Sequence, residues 1–223
     1  MGTLSIVATP IGNMEDITLR ALRTLKECDV IYAEDTRVIS KLLARYEIKK
    51  PLQRLDAVTE AKKADEVIER LGAGERVVYV SDAGTPGISD PGARLVAQVR
   101  LFAPGATVEA IPGPSALTAA MSIAGIDAPG FKFLGFLPHK KGRQTALKGI
   151  STSEIPVVLY ESPHRIIKLL KELEDISVSR VIVARELTKM HEEVISGSAV
   201  EAQAHFAEHP DAVRGEFVVI VLP

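Results

Sequence analysis

Short apolar runs, each closed by a polar or Gly/Pro turn, alternate along this chain with stretches of helical periodicity. The runs are 5–9, 30–33, 77–81, 108–111, 132–136, 157–160, 181–184 and 217–222. Between them lie 3.6-period patterns such as 19–25, 64–71, 93–102 and 166–173. Strands that each give way to a helix can bury both faces only as an α/β layer structure with a largely parallel sheet. The Ala/Gly-rich segment 119–130 interrupts the rhythm, and a second alternating series follows. The pattern predicts two α/β lobes with largely parallel or mixed sheets, residues 1–113 and 114–223.

In open α/β sheets ligands bind beyond the carboxyl ends of the strands, so the residues that follow each strand are the informative ones. After the first run, Thr9-Pro10-Ile11-Gly12-Asn13 puts glycine where backbone can approach a ligand closely. It also reads as an ordinary βα turn. Segment 81–92 holds three glycines, two prolines and two aspartates, far more than the roughly two to six residues a plain βα connection uses. Asp90-Pro91 fits a helix N-cap followed by a first-position proline. Asp82, at the strand end, is placed to bind ligand hydroxyls or an ammonium. In Ile111-Pro112-Gly113-Pro114-Ser115-Ala116, small residues leave room for a flat ring, with Ser115 also readable as a cap. Neither G-x-x-x-x-G-K-[ST] nor G-x-G-x-x-G occurs, which disfavours nucleoside triphosphates, NAD and sugar-nucleotide chemistry.

Glu34-Asp35-Thr36-Arg37 and Ser162-Pro163-His164-Arg165 each read as a helix start with a cation in the first turn. The macrodipole disfavours a cation there by a few tenths to about 1 kcal/mol, and sequences break such rules at functional sites. Arg37 and Arg165 are therefore expected to hold a phosphate or carboxylate. Ion pairs of Arg37 with Glu34 and of Arg165 with Glu161 are the alternative. Pro138-His139-Lys140-Lys141-Gly142-Arg143-Gln144 is the one dense basic cluster. Lys140, Lys141 and Arg143, beside Phe131, Phe133 and Phe136, read either as a solvated helix start or as an RNA backbone site with a stacking platform. Only His205 and His209 have helical spacing, in a segment expected to be solvated, so no metal site is expected. Cys28, the single cysteine, is expected as a small buried hydrophobe and fits a reducing cytoplasm. No run approaches the ~20 apolar residues of a membrane span, and residues 1–5 lack signal-peptide character. A net charge of −2 rules against coating nucleic acid by overall charge and leaves room for a local basic face.

Taken in order, Ala8 through Asn13, Ala33 through Arg37, segment 81–92, Ile111 through Ala116, Tyr160 through Arg165 and Ala184-Arg185-Glu186-Leu187-Thr188-Lys189 resemble the tetrapyrrole methylase superfamily over essentially the whole chain. Ser81-Asp82-Ala83-Gly84-Thr85-Pro86 departs from the G-D-P-G pattern of the corrin-precursor enzymes. That difference, with segments 34–37 and 160–165, points to the branch that acts on ribosomal RNA. The resemblance implies a homodimeric methyltransferase with S-adenosylmethionine folded in a cleft between two lobes, acting on a cytidine 2′-hydroxyl of 16S RNA in the small subunit. It implies cofactor contacts from Pro10, Asp82, Gly84, Thr85, Ile88, Ser115 and Ala116, and from Tyr160, Leu187, Gly215 and Glu216 in the second lobe. Asp35, Glu186 and Lys189 are the rim residues expected to assist removal of the acceptor proton. Arg37, Lys140, Lys141, Arg143 and Arg165 are expected on RNA. The small basic C-terminal domain common in that branch is expected to be absent. Two rivals remain: a same-fold enzyme acting on a tetrapyrrole, which needs an apolar trough, and a non-catalytic cofactor- and RNA-binding assembly factor, which shows no turnover.

Overall fold

The computed structural model describes residues 1–223 in two units, Met1–Ser115 and Ala116–Pro223. The first carries β1 (Thr3–Val7), α1 (Leu19–Glu27), β2 (Val30–Ala33), α2 (Thr36–Arg45), β3 (Leu52–Arg54), α3 (Glu60–Gly72), β4 (Arg76–Val80), α4 (Ala93–Phe102) and β5 (Thr107–Ile111). All its strand pairs are parallel, in the order β3-β2-β4-β1-β5. Side chains on a strand point alternately to opposite faces, and here both faces are covered. Ile31, Ala33, Val78 and Val80 pack under α1 and α2 with Leu25, Ile39 and Leu42. Their neighbours Val30, Tyr32, Val77 and Tyr79 pack under α3 and α4 with Val67, Leu71 and Leu95. Burial on both faces explains why 30–33 and 77–80 are unbroken apolar runs rather than alternating ones.

The chain leaves β1 toward one side of the sheet and leaves β4 toward the other, so the strand order reverses between these two neighbours. Such a reversal opens a crevice beyond the strand ends. The first and second of the unusual loops start there. Cys28 lies in this unit, buried at the end of α1, and burial pushes its thiol up to about 11.

The second unit carries α5 (Ala116–Ile123), β6 (Lys132–Phe136), α6 (Arg143–Ser151), β7 (Val157–Glu161), α7 (Ile166–Asp175), β8 (Arg180–Arg185), β9 (Glu193–Gly197), α8 (Ala199–Glu208) and β10 (Phe217–Leu222). Its sheet is mixed, in the order β6-β7-β10-β8-β9, and only β6 and β7 run parallel. The final strand enters between β7 and β8 antiparallel to both. Val157, Leu159, Val183, Val219 and Val221 form a core with Leu169, Leu170 and Leu173 of α7 and Phe206 of α8.

Three local expectations fail. Strands β3 and β9, both at sheet edges, carry no apolar run: β3 is three residues long with none buried, and in β9 half-buried residues alternate with exposed ones. Asp90 is not an N-cap: α4 begins at Ala93 after Gly92, and the cap comes from a different helix. The buried carboxylate of Glu60 on α3 accepts the Gly92 and Leu95 amides through Oε1, at 2.9 and 3.0 Å. Gly92 has φ +123°, and a Cβ there would stand 2.7 Å from the Tyr79 ring. The segment with His205 and His209 is the amphipathic helix α8, opened by a Ser198/Glu201 capping box, and it buries Phe206. His205 Nε2 lies 3.0 Å from a Glu193 carboxylate oxygen, and its ring stacks on His209. No helix is long and apolar enough to cross a membrane.

Candidate functional site

In the first unit three loops are tied into one surface. The Thr9 amide donates to the Gly84 carbonyl at 2.9 Å, and the Gly84 amide returns a bond to the Thr9 carbonyl at 3.0 Å. The Thr85 hydroxyl donates to the Pro114 carbonyl at 3.1 Å. The turn holding Pro10, the loop holding Asp82, Gly84, Thr85 and Ile88, and the segment ending in Ser115 are thus held together at the strand reversal. The Asp35 amide donates to Asp82 Oδ1 at 2.9 Å, which adds the start of α2 to the same surface. Ile88 is exposed, an apolar side chain presented by the loop.

The carboxyls of this surface divide into two kinds. Burial raises Glu34, with the Asp82 charge adding to it, and burial raises Asp82 as well. Burial pushes Asp90 up to about 6 despite a hydrogen bond from Ser81. Its Oδ2 is buried and accepts from nothing in the protein. Asp35 behaves in the opposite way. It caps α2 through the Arg37 amide and binds the Arg37 guanidinium, and that contact holds its carboxyl down to about 2. Arg37 therefore pairs with Asp35, not with Glu34, and remains largely exposed. Glu34 and Asp90 lay outside the expected site. Their perturbation comes from burial, which the sequence does not print.

In the second unit, Glu186 and Thr188 take left-handed backbone, φ 50° and 65°, around the buried Leu187. Non-glycine residues adopt such angles at a cost and tend to do so at functional turns. The turn interlocks with 215–216. The Glu186 amide donates to the Glu216 carbonyl, and Glu186 Oε1 accepts the Glu216 amide and the Lys189 ammonium, at 3.2 and 2.8 Å. Gly215 has φ +81°, and any Cβ there would run into the Glu186 carboxyl. Burial pushes Glu186 up, but its bonds from Lys189 and the Glu216 amide outweigh that and leave it below the usual range. Burial pulls Lys189 down, yet Glu186 and Glu216 together hold it above its ordinary value. Tyr160 stands edge-on to Phe133 and Phe136, and its hydroxyl accepts the Leu117 amide at 3.1 Å, one residue past Ala116 at the start of α5.

The expected RNA contacts separate. Lys140 and Lys141 are exposed. Arg143 is not available: it is 3% exposed, its fork binds Glu172 on α7 at 2.6–3.0 Å, and a further bond reaches the Pro138 carbonyl. It holds the start of α6 to α7. Arg165 is also engaged. It occupies the N-cap position of α7, one residue before the first turn. Its Nε meets Glu161 at 3.1 Å and its Nη2 donates to the Leu137 carbonyl, which is the ion-pair alternative.

The model of the Tetrapyrrole (Corrin/Porphyrin) Methylases matches residues 3–203. The chain is 45% identical to the Ribosomal RNA small subunit methyltransferase I of Thermotoga maritima, over 99% of this chain and 98% of that protein. It is 43% identical to the protein of the same name from Neisseria meningitidis, over 100% of this chain and 76% of the other. Among solved structures it resembles the Thermus thermophilus uroporphyrin-III C-methyltransferase complexed with S-adenosylhomocysteine. The TM-score is 0.67 at 20% identity, covering 99% of this chain and 97% of that one.

Proposed function

We propose that this chain, which belongs to the tetrapyrrole methylase family, transfers a methyl group from S-adenosylmethionine to small-subunit ribosomal RNA, at a cytidine 2′-hydroxyl. The near-full-length identity with the Thermotoga ribosomal RNA methyltransferase carries this reading. The loops also suit the cofactor. Asp82 is an exposed acceptor at the strand end and Asp90 offers a buried acceptor with no donor, which fits a ligand bearing ribose hydroxyls and an ammonium. Pro10, Gly84, Thr85, Ile88 and Ser115 complete that surface. In the second unit, Ala116 lies beside the cofactor, and Tyr160, Leu187, Gly215 and Glu216 take the adenine portion.

The cofactor supplies an electrophilic methyl on a sulfonium and leaves as S-adenosylhomocysteine. The protein's work is to bring the acceptor oxygen in line with that methyl, at about 3 Å, and to ease loss of its proton. Asp35, Glu186 and Lys189 are each held in their charged form. Asp35 acts by fixing Arg37, a cation for an RNA phosphate. Lys189, fixed by two carboxylates, offers an ammonium beside which a hydroxyl deprotonates more readily, and the released proton passes to the Glu186 carboxylate or to water. Lys140 and Lys141 add to the phosphate contacts. The protein works in the cytoplasm as a homodimer. The homodimer is supported by α5, an apolar helix in which Ala120 alone is buried and Ile123 is 47% exposed, and the reducing cytoplasm by the single, buried Cys28.

Labelled methyl transfer to small subunits from a strain lacking the native modification, followed by mapping of the nucleotide, tests the reading. Label on a single cytidine ribose is the expected result. Transfer to a tetrapyrrole and none to RNA would replace it with the small-molecule alternative. Binding of both ligands without turnover would make the protein an assembly factor.

A further inference from the structure

We propose that the cavity between the turn after β1 and helix α2 receives the target base, unstacked from the RNA, and that Arg37, Lys41 and Arg45 along α2 hold the phosphates beside it. The inference rests on the RNA reading above and adds where the strand runs. The cavity measures about 220 Å³ and is walled by Pro10, Ile11, Met14, Val38 and Leu42. Pockets for drug-sized ligands run to roughly 300–1,000 Å³, so this one suits a single ring, not a whole nucleoside cofactor. Apolar walls are what an extruded base needs, since it gives up stacking on its neighbours and regains it on side chains. Val38 and Met14, 40% and 36% exposed, otherwise leave apolar surface facing water. Thr9 lines the same cavity at 3% exposure, and its hydroxyl oxygen is buried without a partner. A base edge, with donors and acceptors in one plane, satisfies that hydroxyl.

Arg37, Lys41 and Arg45 stand at i, i+4 and i+8, so they share one exposed face of α2, each about 6 Å along the axis from the next. Like charges at this spacing weaken the helix that carries them. Carboxylates at these distances would relieve the repulsion, yet neither Lys41 nor Arg45 has one; Arg37 alone is held, by Asp35. The row is matched to a line of phosphates, and Lys41 belongs to both the row and the cavity lining. Asp82, bonded to the Asp35 amide at the start of α2, also lines the cavity, so the row starts beside it.

The test uses an RNA hairpin carrying the target cytidine, and a second hairpin with fluorescent pyrrolocytidine at that position. Filter binding at several salt concentrations compares the wild type with the double variant Lys41→Ala/Arg45→Ala. Calorimetry follows S-adenosylhomocysteine. The double variant should keep its cofactor affinity while the slope of log affinity against log salt falls by about 0.7 to 0.9 per lost contact. Val38→Trp, at an exposed position, fills the cavity mouth. It should leave RNA affinity and salt slope near wild type, abolish the rise in pyrrolocytidine fluorescence on binding, and remove methyl transfer. An unchanged slope in the double variant overturns the phosphate row, and Val38→Trp that methylates normally overturns the base pocket. A wild-type protein that binds cofactor but neither binds nor methylates RNA would instead overturn the RNA reading itself.

Discussion

Asp90, in the loop between β4 and α4, carries a carboxyl with one buried oxygen that no donor reaches. Followed by proline and glycine it has the look of a helix cap, but Glu60 caps α4 and leaves Asp90 half-buried with an unbonded oxygen. Burial raises its pKa to about 6. A carboxyl whose folded pKa lies above its unfolded value of about 3.9 favours the native state at low pH, and that advantage disappears as pH rises through 6. Asp90→Asn, which cannot ionise, should therefore match the wild type in thermal midpoint near pH 4 and exceed it above pH 6. Thermal melts across that range check it; a variant that is less stable at pH 8 would mean Asp90 has a partner when ionised. Arg143 gives the complementary case. Removing one member of a buried ion pair costs about 3–5 kcal/mol, so Arg143→Ala should lower stability by that order. Lys140→Ala should leave stability within about 0.5 kcal/mol. Chemical denaturation of the two variants separates them. Nothing local marks Arg143 off from its two lysine neighbours. Its partner, Glu172, is set by how α6 packs on α7.

At the scale of elements, the helices and strands that cross the two cores were legible because burial writes itself into apolar periodicity. The runs at 30–33 and 217–222 match β2 and β10 at both ends, and pattern 93–102 matches α4. Edges were legible only where they kept an apolar run, as β5 and β6 do; β3 is Leu-Gln-Arg with no buried residue and left no signal. Long-range caps were equally hidden, since Glu60 and Gly92 are brought together only by α3 packing beside α4. Glu60→Ala would leave two buried amides without an acceptor, which costs about 1–3 kcal/mol. The loss should be local. Hydrogen exchange at Gly92 and Leu95 should speed up well before exchange in β4 does, and equal acceleration throughout would show that the cap serves the whole sheet.

Within the first unit, the loops that resemble one family are loops that the fold ties together, which is why their order along the chain was informative even though each motif alone was weak. The turn at 9–13, the loop at 81–92 and the segment at 111–115 lie on neighbouring strands of one sheet. Cofactor binding needs no metal in this reading: calorimetric affinity for S-adenosylhomocysteine should be the same before and after chelator treatment. Asp82→Ala should weaken that affinity while the chain stays folded, losing only the bond from the Asp35 amide, and a collapsed midpoint would make Asp82 structural. The paired amide bonds between Thr9 and Gly84 carry one more consequence. They join the turn that walls the proposed base cavity to the loop that faces the cofactor, so neither can shift alone. Two ligands that bias one shared element must influence each other by the same factor in both directions. S-adenosylhomocysteine should change RNA affinity by the ratio in which RNA changes affinity for S-adenosylhomocysteine, and the four dissociation constants should close a cycle. If that ratio differs from one, the spent cofactor left after each turnover helps to decide how long the methylated RNA stays bound.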